Sequence, residues 1–172
     1  MVVARVNGYV IEPGADLSYA ELRDADLWAA NMDGADLWGA NLIGAKLTGA
    51  NLTDAVLRDA NLTGADLSYA DLSRADLSYA VLRDANLHVA DLSEAFLTGA
   101  DLRGAELFET VLRGADLTGA DLSDADLASV FLHGANLSGA VLIDAKLEGA
   151  NLDGVTFDNT TMPDGSIKNP TT

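Results

Sequence analysis

The sequence predicts an all-β fold, a solenoid in which short strands coil around a continuous apolar core. Three observations predict it. One five-residue unit repeats without interruption from Ala15 to Gly154, 28 units in 140 residues. An apolar residue holds the third place of every unit, and Ala holds the first place almost throughout. Aromatic residues supply only 6% of a chain that is 49% hydrophobic, so core volume must come from many Leu and Ala side chains.

The unit reads Ala-(Asp/Asn)-Leu-x-x. The third place is Leu except at Met32, and the first is Ala except at Thr110 and Val130, both small or β-branched enough to point inward. A period of five suits neither ordinary element. On an α-helix, at about 100° per residue, each unit would turn Leu by about 140° and spread the leucines around the circumference. On a straight strand an odd period sends successive leucines to opposite faces. A chain that turns a corner once per unit keeps every Leu and Ala inward. With corners of about 90°, four units close a square coil, and residues 20 apart stack. Seven such coils (140/20) give a rod about 34 Å long at roughly 4.8 Å per coil.

The remaining places agree. Gly, frequent at the fifth, tolerates tight turn geometry. Asp and Asn at the second can hydrogen-bond nearby backbone. The register extends past the regular block. Downstream it takes in Val155-Thr156-Phe157, Thr160-Thr161-Met162 and Gly165-Ser166-Ile167. Upstream it takes in Ala4–Gly8 and Tyr9–Pro13, with Gly14 as one extra residue. The expected organisation is one domain over 1–172. Residues 1–14 form an N-terminal cap of degenerate repeats, 15–154 the regular repeats, and 155–172 degenerate repeats and a tail.

Units such as Ala65-Asp66-Leu67-Ser68-Tyr69 and Ala100-Asp101-Leu102-Arg103-Gly104 resemble the pentapeptide-repeat family closely, over roughly nine tenths of the chain. The resemblance implies a right-handed quadrilateral β-helix of about seven to eight coils, four repeats per coil. The tail Thr160–Ile167 resembles the endings of cyanobacterial members.

Ten basic residues against 27 acidic ones leave a net charge of −17, which argues against nucleic acid or an anionic membrane as partner. With no cysteine there is no disulfide, thiolate metal site or thiol nucleophile. The opening run Met1–Arg5 is too short for a signal peptide, and no stretch reaches the roughly 18 apolar residues of a membrane span. A cytoplasmic location is the expectation.

Stacking at 20-residue intervals maps the outer faces. Asp16, Asp36, Asp76 and Asp116 share the first, Asp101 and Asp121 the second, Asp26, Asp66 and Asp126 the third, Asp71 and Asp91 the fourth. Stacked carboxylates such as Asp71 and Asp91, about 5 Å apart, could act as an acid/base pair or hold calcium. With no cleft or nucleophile specified beside them, they read as solvated repeat positions. His88 and His133 fall on different faces. Arg23, Arg83 and Arg103 share one column, with Asp84, Asp101 and Asp124 to balance them.

Two groups of outward apolar residues depart from the pattern. Val111 and Phe131 replace Asp or Asn in adjacent coils of the fourth face, with Phe108 near the same edge, while Phe96 interrupts the first face. A looser group comprises Trp28, Trp38 and Ile43. Clustered exposed apolar side chains suggest a contact surface.

No phosphate-binding loop, paired-histidine metal helix or nucleophile elbow is present, and no cofactor is implied. The expected function is a non-catalytic structural or protein-interaction rod with an unidentified protein partner. The family resemblance implies an alternative, a DNA mimic that binds a type II topoisomerase (gyrase). Those members carry inserted loops or a helical dimerisation module, whereas these units run unbroken and the tail reads as a turn. Exposed end coils invite stacking, blunted at one end by Glu12, Pro13 and Gly14 and at the other by Pro163, Lys168 and Pro170. A monomer, or a homodimer through terminal coils, is expected.

Overall fold

A computed structural model describes residues 4–170. Each second-position residue forms a parallel bridge with the residue 20 positions on, from Asp16↔Asp36 to Val141↔Thr161. Four ladders result, beginning at Asp16, Glu21, Asp26 and Asn31, and no helix occurs among the described residues. A spacing of 20 is the register that a coil of four units requires.

The backbone of one unit shows why the motif has five places. Ala75 N–H closes a turn onto Leu72 O at 3.0 Å. Asp76 N–H donates back to Ala55 O at 2.9 Å, while Leu77 and Tyr79 N–H donate forward to Phe96 O (2.7 Å) and Thr98 O (2.9 Å). Ser78 N–H, the fourth, has no backbone acceptor and donates instead to Asp76 Oδ1 at 3.0 Å. That local side-chain bond is the reason for Asp or Asn at the second place. It recurs in every one of the 18 units with Asp (11) or Asn (7) there. The ten units with Glu, Lys, Val or Phe lack it.

Every fifth-place residue from Tyr19 to Gly154 has positive φ, the signature of a turn with a left-handed third corner residue. Fifteen of them are not glycine, and each carries a steric cost that the surrounding ladder bonds offset. Gly39 has a second reason to be glycine. A Cβ there would lie 2.7 Å from the ring of Tyr19, which lies across it from the preceding period.

The core follows the expected pattern. Every third-place side chain from Leu17 to Leu142 is at most 2% exposed, and truncating one to Ala would cost roughly 3 kcal/mol. Thr110 and Val130 are both fully buried, and Thr110 satisfies its hydroxyl by donating to Leu87 O at 2.7 Å.

The ends depart in part from the expected register. Residues 4–11 are not two further repeats. β1 (Ala4–Val6) and β2 (Tyr9–Ile11) form an antiparallel hairpin through Asn7 and Gly8, both at positive φ as a two-residue hairpin turn demands. The hairpin docks through Tyr9 Oη, which accepts from Glu21 N–H, and buries Ile11. At the other end Thr156 and Thr161 continue the ladders and Phe157 is buried. Gly165–Ile167 does not continue them. β3 (Thr160–Thr161) turns back through Pro163–Gly165 to pair antiparallel with β4 (Ile167–Lys168), leaving Ile167 exposed.

Two expected outcomes follow from this bonding. Asp91→Asn leaves stability within about 0.5 kcal/mol, whereas Asp91→Ala costs about 1 kcal/mol by urea denaturation, because only the latter removes the acceptor for Ser93 N–H. Gly39→Ala costs more than Gly119→Ala, which meets no neighbour. In a Tyr19→Ala background the two costs converge to about 1 kcal/mol.

Candidate functional site

The acidic side chains are mostly committed to the fold. Asp71 and Asp91 sit opposite one another in one ladder. Asp71 Oδ1 accepts from both the N–H and the hydroxyl of Ser73, and Asp91 Oδ1 accepts from Ser93 N–H. Burial pushes the Asp71 carboxyl up, but the bonds from Ser73 and Thr53, with the charge of Arg74, together hold the pKa below the ordinary value. Among the described residues no group of three or more His, Asp or Glu side chains could hold a metal ion.

The arginine column is balanced differently from the sequence expectation. Arg103 pairs with Asp101 at 2.7 Å, and Arg83 bonds the same carboxylate from the preceding period. Asp121 lies 3.6 Å from Arg103, while Arg23 pairs with Asp24 at 3.5 Å. Asp84 and Asp124 form no ion pair among the described residues; Asp84 instead overlies Gly104. The Arg103 guanidinium, aided by Arg83 and opposed by partial burial, holds the Asp101 carboxyl down to about 2.

The apolar candidates divide by ladder. Val111 and Phe131 pair directly in the ladder that begins at Asn31. Phe131 is 37% exposed, and the Arg113 guanidinium lies over its ring at 5.8 Å. Phe108 sits across one turn, closed by Thr110 N–H onto Leu107 O, in the preceding ladder. Its ring stacks on His88 with centroids 5.5 Å apart, and His88 meets the edge of Tyr69 at 5.6 Å. Phe108 O can only accept, so the 3.1 Å contact from His88 Nδ1 places a proton on that nitrogen. Tyr69 was not singled out from the sequence, and His88 was weighed only against His133. The signal was present in spacings of 19 and 20 residues, which bring fourth and fifth places of adjacent periods together.

Trp28, Trp38 and Ile43 lie in three different ladders and do not form one patch. Trp38 packs on Tyr19 at 5.1 Å and donates from Nε1 to Asp59. Trp28, 71% exposed, borders a hollow of about 310 Å³ with Val6, Ile11 and Leu27 beneath the N-terminal hairpin. His133 sits in the Phe131 unit, apart from His88.

A second hollow, of about 280 Å³, runs beside the stacked rings, bordered by His88, Phe108, Glu106, Asp124, Asp126 and Lys146. Lys146 covers Asp126 at 3.1 Å, whereas no cation pairs with Glu106 or Asp124 among the described residues.

The geometry can be set beside known proteins. A family profile described as pentapeptide repeats matches in eight copies, among them residues 20–59, 55–93, 85–124 and 120–159. No curated protein matches the sequence. Among solved structures, the chain is similar to HetL, a pentapeptide repeat protein involved in heterocyst differentiation regulation from the cyanobacterium Nostoc sp. strain PCC 7120. Identity is 37%, covering 90% of this chain and 77% of HetL, with a TM-score of 0.51. Full-length QnrB1, a plasmid-mediated fluoroquinolone resistance protein, is 24% identical over 75% of this chain and 80% of its own, with a TM-score of 0.39. A pentapeptide repeat protein of the Arabidopsis thaliana thylakoid lumen is 36% identical over 55% and 69%, with a TM-score of 0.29.

The Asp101 cluster sets an acid dependence. A folded-state pKa of about 2 against an unfolded value of about 3.9 means the carboxylate stabilises the fold above pH 4. That contribution, up to about 2 kcal/mol, is lost as pH falls from 4 towards 2. Denaturant titrations at successive pH values should show Asp101→Asn, which keeps the acceptor for Arg103 N–H, losing correspondingly less stability than the wild type over this window.

Proposed function

The chain belongs to the pentapeptide-repeat family, and from that premise we propose that it is a non-catalytic protein-interaction rod whose contact surface centres on Phe108, Val111 and Phe131. In this reading residues 1–172 make one domain. It is a right-handed quadrilateral β-helix with seven coils in the regular block (140/20), continued in part by the units that carry Thr156 and Thr161. The protein is cytoplasmic, needs no cofactor, and works by binding another protein, alone or as a homodimer through its end coils.

One observation carries the reading. Within the regular block, Val111 and Phe131 are the one pair of neighbours in a ladder that both give up the Asp/Asn side-chain bond. Every other exception in the block, such as Val56, Val81 or Phe96, has only Asp or Asn as its ladder neighbours within the block. Forfeiting about 1 kcal/mol at each of two adjacent positions, for apolar side chains half in solvent, is poor design for stability alone. It suits a surface that is covered when a partner docks. The likeness to HetL, a protein involved in regulation, supports binding over catalysis.

The alternative, a DNA mimic for a type II topoisomerase (gyrase), draws on the charge of −17. Eleven of the 27 acidic residues are second-place Asp residues that serve the fold. Much of the charge therefore has a local structural origin, and the contact-rod reading is preferred. A supercoiling assay with excess protein separates the two: inhibition or protection of the topoisomerase supports mimicry.

The main test is Val111→Asn/Phe131→Asn. Asn restores both missing side-chain bonds, so the variant should gain about 1–2 kcal/mol in denaturant unfolding. It should also lose proteins that the wild type retains from host lysate, or lose self-association in sedimentation. A variant that is stabilised yet keeps every partner and the same sedimentation would remove the contact-surface reading.

A further inference from the structure

The hollow beside Phe108 differs from the rest of the acidic surface because it joins an aromatic stack to carboxylates that the fold does not use. Tyr69, His88 and Phe108 form a continuous series of rings across three successive periods. Phe108 remains 39% exposed, and its ring borders the hollow rather than packing into the core. The hollow is also bordered by Glu106 and Asp124, neither of whose carboxylates receives a hydrogen bond or cation among the described residues, and by Asp126 with Lys146. Glu106 occupies a second place where Asp or Asn would have closed the local bond, so its carboxylate is free of that duty. Gly104 opens one side; a Cβ there would meet the Asp84 carboxylate.

Resting on the reading of the chain as a protein-contact rod, we propose that this hollow receives an arginine side chain from a basic segment of the partner protein, with an adjoining apolar residue of that segment on Val111 and Phe131. Three physical requirements of a guanidinium meet here. Its flat face needs an aromatic surface, which Phe108 supplies. Its donors need carboxylates to the side, which Glu106 and Asp124 supply. Its weak hydration lets it leave water more readily than an ammonium does, so arginine is favoured over lysine. The protein already makes the first of these contacts internally, where Arg113 lies over Phe131. The net charge of −17 draws a basic segment towards every face, and the rings and free carboxylates select this one.

The test uses the full chain and three short blocked peptides of alternating charged and leucine residues, carrying arginine, lysine or glutamate. Binding is followed by fluorescence anisotropy at physiological salt and mapped by amide chemical-shift changes. The arginine peptide should bind more tightly than the lysine peptide, with shifts concentrated at residues 88, 104–113, 124 and 131, and the glutamate peptide should not bind. Glu106→Gln/Asp124→Asn and, separately, Phe108→Ala should each weaken the arginine peptide at least about tenfold. Asp16→Asn/Asp36→Asn, which removes the same charge elsewhere, should not.

Shifts spread over all acidic positions, or equal losses in the remote control, would reduce the effect to a diffuse field and overturn the proposal. So would unchanged binding in both site variants. If the arginine peptide fails while Val111→Asn/Phe131→Asn still loses partners, the interaction rod stands and the basic occupant falls. If both fail, the rod reading falls with it.

Discussion

The form of the repeat turns on one backbone donor. Four of the five N–H groups in a unit find carbonyls through the turn and the 20-residue ladders, and the fourth-place N–H does not. A buried or half-buried amide left unpaired is costly, and the loss would recur in each unit. The second-place Asp or Asn meets that need from two residues away. This explains why a poor strand former dominates a position that pairs with adjacent periods. The apolar Leu and Ala interior supplies the driving force, but the side-chain bond lets so short a strand turn a corner without losing a partner.

That dependence gives the surface its meaning. Where the second place departs from Asp or Asn, the chain has given up a local bond, and the departure becomes informative in a way that an exposed Leu on an ordinary surface is not. Solitary departures are scattered over the other three ladders, as tolerance would predict. Val111 with Phe131 is a departure in two consecutive periods, and it lies across one turn from the aromatic stack. The rings of Tyr69, His88 and Phe108 stack across three periods, and the Glu106 and Asp124 carboxylates beside them have no hydrogen-bond or ion-pair partner among the described residues. Chemistry for recognition is thus gathered where the demands of the fold are relaxed.

The core and the register were legible in the sequence because both follow from the period alone. An inward Leu at every fifth residue, and stacking at 20, need no knowledge of side-chain direction. The ends were less legible. Val6 and Ile11 have spacings that fit two more repeats, so the Asn7-Gly8 hairpin turn was masked by apolar residues it happens to share with the motif. Gly165–Ile167 fits the spacing as well, yet the Pro163–Gly165 turn reverses the chain before it can join a ladder. The aromatic stack was missed for a different reason. Fourth- and fifth-place side chains leave a corner, and which neighbour they meet depends on rotamers rather than on period. Trp28, Trp38 and Ile43 show the opposite error, in which nearness along the chain stood in for nearness in space.

The exchangeability of Asp and Asn at the second place separates charge from architecture. Either residue offers the same oxygen to the same N–H, and their codons differ by a single base. Exchanging all eleven Asp residues for Asn would move the net charge from −17 to −6 with every local bond retained. A lineage built on this scaffold can therefore drift widely in electrostatic character while its shape stays the same, and two members of near-identical form can present very different fields to the proteins around them.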